Sequence, residues 1–347
     1  MTRRLFARIF GSLIAGAAFS DKAALAANAV HMKHSIKPGR LKKGDLIRLI
    51  APGSPCAEEK IATAISKLEG QGYRVRYTEA IRKRNGYLAG TDRERVDDLH
   101  AAFQDKEARA VWCIRGGYGC TRIIPHLDYE LIRANPKILV GYSDITALIH
   151  AIYQKTGLVG FHGPVGATPQ SNYNQDLLDR ILIEGEHPCT IHGSVEQLIN
   201  ADDAYQPYVI RGGSAEGFLS GGNLCLLAAM AGTDFGVNFR DKIVFLEEVG
   251  EKPYRIDRMV TQLMQSADLH LAKAIVLGVF EDCQPKNDLY SLGLKETLEF
   301  LFKPLGIPVI YGFSFGHVQQ ICTLPVGIKA RLDADRMELT LLESAVS

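Results

Sequence analysis

Three polar residues in this 347-residue chain stand just beyond short apolar runs, and their types together suit acyl transfer. Ser143 follows Ile138-Leu139-Val140 and Gly141-Tyr142. Glu247 and Glu248 follow the run from Lys242 to Leu246, and His317 follows the run from Pro308 to Phe313 through Ser314-Phe315-Gly316. A serine hydroxyl needs a base to take its proton; a histidine supplies that base, and an acid fixes the imidazole tautomer and stabilises its cation. The chain order is serine, acid, histidine. Adjacent strand residues point to opposite sides, so only one glutamate can face the histidine, and periodicity does not choose between them. Each residue also has a plainer reading: Ser143 as a helix N-cap, the acid as a solvated or ion-paired carboxylate, the histidine as a surface residue.

The stretch from Arg115 to His150 carries the strongest local signal. Asp144 to Gln154 places Ile145, Leu148, Ile149 and Ile152 at helical spacing, so Ser143 sits in a strand-to-helix turn with no loop around it. A nucleophile elbow lifts its serine above the sheet in this way, although Ile145 stands where the second glycine of G-x-S-x-G is expected. Upstream, Arg115-Gly116-Gly117-Tyr118-Gly119 also follows an apolar run. Its glycines allow close backbone approach, and the amides of Gly117 and Asp144 form a candidate oxyanion hole. The run fits neither nucleotide-loop spacing. His162, His187 and His192 lack tight metal-ligand spacing and read as solvated loop residues, so no metal is assigned.

Stepping outward, the elements that must hold these residues alternate. Leu46–Ile50, Val75–Thr78, Ala110–Ile114, Lys137–Tyr142 and Leu158–Phe161 read as strands, and Glu58–Glu69 reads as a helix between the first two. Thr91 and Glu94 form a capping box for a helix that buries Val96, Leu99 and Phe103. This alternation predicts a parallel sheet covered on both faces, within an N-terminal α/β domain over residues 41–165. Residues 166–210 are polar and read as a crossover, with one helical stretch at Leu177–Ile183. Residues 211–347 are expected to form a second domain. It has strands at Lys242–Leu246, Ala274–Phe280 and Pro308–Phe313, and helices at Arg255–Leu269 and Leu292–Phe302, the first with Met259, Leu263 and Met264 inward. The tail from Thr323 to Leu342 reads as two antiparallel strands around Ala334-Asp335.

The first 26 residues are set apart from the fold. Arg3 and Arg4, an apolar stretch from Ile9 to Phe19 and Ala24-Leu25-Ala26 describe a secretory signal of twin-arginine type. The expected compartment is the periplasm, or the cytoplasm if this segment is not a working signal. The apolar stretch is shorter than the ~20 residues needed to span a bilayer, so stable membrane insertion is not expected. The remaining chain of roughly 320 residues exceeds one hydrophobic core, which agrees with two domains. A net charge of +1 without a basic stripe argues against a nucleic-acid partner. Seven cysteines in no C-x-x-C pair indicate neither a zinc ribbon nor thioredoxin chemistry; Cys113 and Cys225 read as small core residues.

Taken together, the motifs resemble the LD-carboxypeptidases, the murein tetrapeptide carboxypeptidase family of serine peptidases. The matching pieces are Ala51-Pro52-Gly53-Ser54-Pro55, Arg115-Gly116-Gly117-Tyr118-Gly119 and Gly141-Tyr142-Ser143-Asp144-Ile145-Thr146-Ala147. Further on come Gly221-Gly222-Asn223-Leu224, Leu246-Glu247-Glu248 with Pro253-Tyr254-Arg255-Ile256-Asp257-Arg258, and Phe315-Gly316-His317. The resemblance covers about Leu41 to Leu342. It implies a Rossmann-like or flavodoxin-like N-terminal α/β domain carrying nucleophile Ser143, a C-terminal β-rich α/β domain carrying acid Glu247 and base His317, no metal or cofactor, and a homodimer. The implied reaction removes the terminal D-alanine of a murein tetrapeptide or peptidoglycan fragment by cutting an L-to-D bond. Arg115, Asn223 and Arg255 are candidates for holding the substrate carboxylate, which must be paired if desolvated. A similar sister group cleaves microcin-type peptide–nucleotide conjugates and implies an aromatic ring stacked on the base. The only tryptophan, Trp112, lies in a predicted core strand, so Tyr173 or Tyr205 would have to serve. A non-catalytic muropeptide- or nucleotide-binding module is the remaining alternative.

Overall fold

The computed structural model describes residues 35–194, 205–285 and 290–347; the expected export signal lies outside them. In chain order the strands are β1 (Leu46–Ile50), β2 (Arg74–Arg76), β3 (Ala108–Cys113), β4 (Ile138–Gly141), β5 (Phe161–His162), β6 (Cys189–Ile191) and β7 (Tyr208–Arg211). Then come β8 (Ser214–Asn223), β9 (Lys242–Val249), β10 (Ala274–Glu281), β11 (Val309–Phe313), β12 (Leu324–Pro325), β13 (Lys329–Asp333) and β14 (Glu338–Leu341). Among the described residues they form two sheets, in the orders β12-β5-β4-β3-β1-β2 and β6-β14-β13-β8-β9-β10-β11-β7.

In the first sheet β2, β1, β3, β4 and β5 are all parallel. Parallel strands are covered on both faces, which is why β1 and β4 are buried at every position. The helices Glu58–Gly70 (α1), Asp92–Gln104 (α2) and, after β4, Ile145–Thr156 (α5) belong to this half; the short helices Cys120–Ile123 (α3) and Tyr129–Ala134 (α4) lie between them. The capping box forms as expected: Thr91 Oγ1 accepts from the Glu94 amide at 3.3 Å, and Glu94 Oε2 accepts from the Thr91 amide at 2.8 Å. The second sheet has a parallel centre, β8-β9-β10-β11, with antiparallel strands outside it. The fold is thus a mixed α/β architecture with a parallel-sheet N-terminal half and a β-rich C-terminal half.

Several details depart from the sequence reading: β8, ten residues long and in the centre of the second sheet, was not expected as a strand, and β2 lies at Arg74–Arg76 rather than Val75–Thr78. β5 begins only at Phe161, because Leu158 is used in an isolated bridge to Ile36. The helical stretch expected at Leu177–Ile183 is present but starts earlier, as the helix Asn172–Leu178 (α6) continued by a π turn to Glu184, and the crossover also contributes the strands β6 and β7, which were not expected. Those strands of three and four residues cap the two edges of the second sheet, where short strands suffice. Glu247 and Glu248 lie within β9 rather than beyond it. The helix Pro253–Ser266 (α8, after Leu224–Met230, α7) buries Ile256, Val260 and Leu263, while Met259 and Met264 stay half-buried.

β12 returns from the C-terminal half to pair antiparallel with β5, joining Leu324 to His162 and Pro325 to Phe161. All seven cysteines are free. Cys225 is half-buried, not a core residue, because its position at the start of α7 leaves one side open. No helix among the described residues is long and apolar enough to cross a membrane.

Candidate active site

Ser143 occupies the turn between β4 and α5 with φ +63°. A left-handed conformation is costly for a residue with a Cβ, and it persists only where the surroundings impose it. This excludes the plain capping reading, since an N-cap residue takes extended angles. The position before α5 belongs to Asp144, whose carboxylate does not cap the helix. It accepts a hydrogen bond from the Cys120 amide at 2.9 Å, tying the turn to the end of the glycine loop. Gly116 packs so closely on the turn that a Cβ there would come within 3.0 Å of the Ser143 Cβ and 3.1 Å of the Asp144 nitrogen. Glycine is required by this approach. The amides of Gly117 and Asp144 thus lie on the two chain segments that meet at Ser143. Neither donates a hydrogen bond to another described residue.

Glu247 is fully buried in β9, and its Oε2 accepts from His317 Nδ1 at 2.9 Å. Gly316 lets the histidine loop come this close: a Cβ there would lie 3.1 Å from the Glu247 Cβ. Burial by itself would push the Glu247 carboxyl up. The hydrogen bond and charge of His317, with His162 nearby, outweigh it and hold the group below the ordinary glutamate value. For His317 burial pulls down, while the bond and charge of Glu247, followed by Glu248 and Glu281, raise it above the ordinary histidine value. Tyr142, the residue before Ser143, meets the His317 ring edge-on at 5.1 Å between centroids. Serine turn and histidine loop are therefore adjacent through Tyr142. Among the described residues no hydrogen bond joins Ser143 to His317; bonds of this kind commonly tighten only in the complex with substrate.

Glu248 points the other way. It accepts from Asn223 Nδ2 at 3.2 Å, from the Cys225 amide at 2.8 Å and from its own neighbour Val249 at 2.9 Å. Burial, assisted by the charge of Glu247, lifts its carboxyl to about 7 against those bonds. Asn223 is buried, and its Oδ1 caps α7 by accepting from the Leu226 amide at 3.2 Å. Its amide group is thus engaged on both sides within the protein. Arg255 is exposed on α8 and pairs with Glu251 at 3.4 Å. Arg115 is half-buried, bonds the Pro55 carbonyl at 3.2 Å, and holds Nη2 3.4 Å from where a Gly117 Cβ would be. Of the three candidates for carboxylate recognition, Arg115 lies on the glycine segment that packs on the serine turn, and Asn223 reaches the start of α5, its backbone amide donating to Thr146 Oγ1 at 3.1 Å.

His162 was missed as part of this neighbourhood. It is not a solvated loop residue but is 1 % exposed at the end of β5, where the sheet and the adjoining aromatic side chains cover it. His187 and His192 are exposed. No group of three or more metal-ligating side chains occurs among the described residues. Trp112 is a core residue whose indole donates to the Pro164 carbonyl at 2.9 Å. Tyr173 and Tyr205 spend their hydroxyls on the His192 carbonyl and Glu281 respectively.

Comparison with known proteins places the chain in a family. The LD-carboxypeptidase N-terminal domain family matches residues 47–163, and the LD-carboxypeptidase C-terminal domain family matches residues 216–332. The chain is 40 % identical to a probable murein peptide carboxypeptidase of Bacillus subtilis over 317 residues, covering 90 % of this chain and 95 % of the other. It is 36 % identical to a murein tetrapeptide carboxypeptidase of Pseudomonas aeruginosa over 300 residues, covering 84 % and 94 %. The crystal structure of a MccF-like protein from Bacillus anthracis superimposes with a TM-score of 0.78 at 31 % identity, covering 89 % of this chain and all of that one. MccF itself is a microcin C7 self-immunity protein.

Proposed function

The chain belongs to the LD-carboxypeptidase family and is a serine-type carboxypeptidase, and from that premise we propose that it removes the terminal D-alanine from murein tetrapeptides. The observation that carries the reading is the buried Glu247–His317 pair beside a serine turn at φ +63°. In this reading Ser143 Oγ attacks the carbonyl of the L-to-D bond while His317 Nε2 takes its proton. Glu247 holds Nδ1–H and stabilises the imidazolium. The amides of Gly117 and Asp144 receive the oxyanion, aimed at charge that develops only in the transition state. His317 then protonates the departing D-alanine amine, and a water molecule, activated by the same histidine, releases the acyl group from Ser143. Arg115 pairs with the terminal carboxylate.

The names of the two carboxypeptidase relatives support a murein substrate. Mass spectrometry of purified protein with three substrates tests it: the tetrapeptide, its isomer ending in L-alanine, and an aminoacyl–nucleotide conjugate. Loss of alanine from the first alone is expected. Turnover of the conjugate alone would make the chain an immunity peptidase, and binding without turnover of any substrate would make it a binding module. The reading includes a homodimer, which sedimentation of the mature protein checks. It also includes export directed by residues 1–26. A reporter fused to this segment is expected in the periplasm, and Arg3→Lys with Arg4→Lys is expected to block it; unimpaired export of the double variant would reject the twin-arginine route.

A further inference from the structure

The buried His162 has no assigned task, and its surroundings are those of the catalytic centre. Its ring meets Tyr142, Phe245 and Phe315 edge-on, with centroids 6.0, 5.3 and 6.0 Å away. Each of these neighbours leads to one part of the site. Tyr142 precedes Ser143 and packs on His317. Phe245 lies two residues before Glu247 in β9 and so shares its face of the strand. Phe315 precedes Gly316 and His317. On its own strand His162 is paired with Gly141, two residues before the serine.

Three buried polar atoms here have no hydrogen-bond partner among the described residues: both ring nitrogens of His162, and Glu247 Oε1, the oxygen not used by His317; Asn223, whose amide also helps lower the Glu247 carboxyl, donates to Glu248. Buried polar atoms are rarely left so, and a carboxylate oxygen without a donor carries the largest penalty. Burial first, with a smaller opposing effect from Glu247, pushes the imidazole down to about 4. At neutral pH it is therefore an uncharged ring with one N–H donor and one acceptor.

We propose that His162 is a positioning residue for the acid: its N–H serves Glu247 Oε1 through one internal water, and so keeps the carboxylate turned toward His317. The orphaned His162 ring nitrogens and Glu247 Oε1 supply the polar partners that a single bridging water needs. His162 does not touch substrate; it acts by keeping Glu247 ionised and in one orientation. This rests on the triad reading given above.

The test is the pH profile of kcat/KM for wild type, His162→Phe and His162→Gln. The groups that act on His317 are Glu247 and Glu248 from β9, Glu281 from β10, and the uncharged Tyr142 and His162 from the first sheet. Without the donor, Glu247 holds a proton more readily and supports the imidazolium less, so the His317 pKa falls. His162→Phe is expected to lower the plateau roughly tenfold to a hundredfold, as for small misplacements of catalytic groups. It should also move the acid limb to lower pH. His162→Gln, which restores an N–H donor, is expected to recover the wild-type limb. Should His162→Phe not fold, His162→Leu against His162→Gln makes the same comparison. Titration of the His317 ring by NMR in a Ser143→Ala background reads the shift without turnover, so it separates this proposal from failure of the nucleophile assignment. A wild-type limb and an unshifted His317 titration in a folded His162→Phe or His162→Leu protein would overturn the proposal.

Discussion

Glu247 and Glu248 are consecutive in β9, yet Glu247 meets His317 at 2.9 Å while Glu248 turns to Asn223 and the start of α7. Strand alternation separates the two carboxyls into different environments: one stays ionised beside an imidazole, and the other is lifted to about 7. Glu247→Gln is expected to lower kcat by roughly 10² to 10⁴, since an amide can hold the ring but stabilises its cation poorly. Glu248→Gln should cost less than about tenfold, because its carboxyl lies off the reacting atoms. Steady-state kinetics on one tetrapeptide checks both, and the reverse ranking would move the acid by one residue.

The same contrast appears in stability. A carboxyl raised from 4.5 to about 7 on folding is protonated more readily in the native state. Its effect is absent below pH 4.5, grows as the unfolded chain ionises first, and is complete above pH 7. Glu248→Gln removes this dependence. Its stability relative to wild type should therefore shift in the variant's favour by up to about 3 kcal/mol between pH 4.5 and pH 8. Denaturant melts at the two pH values check this; an unchanged difference would mean that Glu248 stays ionised in the fold.

Ser143 at φ +63° makes an unusual prediction for its own replacement. Glycine adopts that angle freely, so Ser143→Gly should abolish activity while raising stability by about 0.5–1 kcal/mol, the relieved strain less the extra unfolded-state entropy. A capping serine would instead lose a few tenths of a kcal/mol on the same change. Thermal unfolding decides the sign.

Arg115, folded over Gly117, is expected to recognise the substrate carboxylate. Arg115→Ala should reduce kcat/KM for the free acid roughly tenfold to a hundredfold more than for the C-terminal amide, the usual cost of losing a charged hydrogen-bond partner. Arg255→Ala should affect both substrates alike, because Arg255 is engaged with Glu251. Equal losses on both substrates in Arg115→Ala would remove it from this role.

Much of this was legible before any coordinates. Apolar runs bounded by glycine and proline located β1, β4 and β9, and the Thr91–Glu94 pair marked a helix start that the structure reproduces. The strand-to-helix turn at Ser143 was also visible, but its left-handed angle was not, since it is imposed by packing against Gly116. The choice between Glu247 and Glu248 came from a motif, because alternation says only that they differ. β6 and β7 were missed because edge strands of three or four residues carry no periodic signal. His162 lacks tight ligand spacing and follows the last residue of the expected strand, Phe161, so it reads as a loop histidine. Its burial comes from β12, which returns from more than 150 residues away to pair with β5.

The most direct measurement of the central claim is the rate of D-alanine release from murein tetrapeptide, followed by mass spectrometry, for wild type, Ser143→Ala, His317→Ala and the double variant. If the serine and its base act as one unit, each single change should lower kcat by roughly 10⁴ to 10⁶, and the double variant should be little worse than either. Full activity in a folded Ser143→Ala protein would contradict the account.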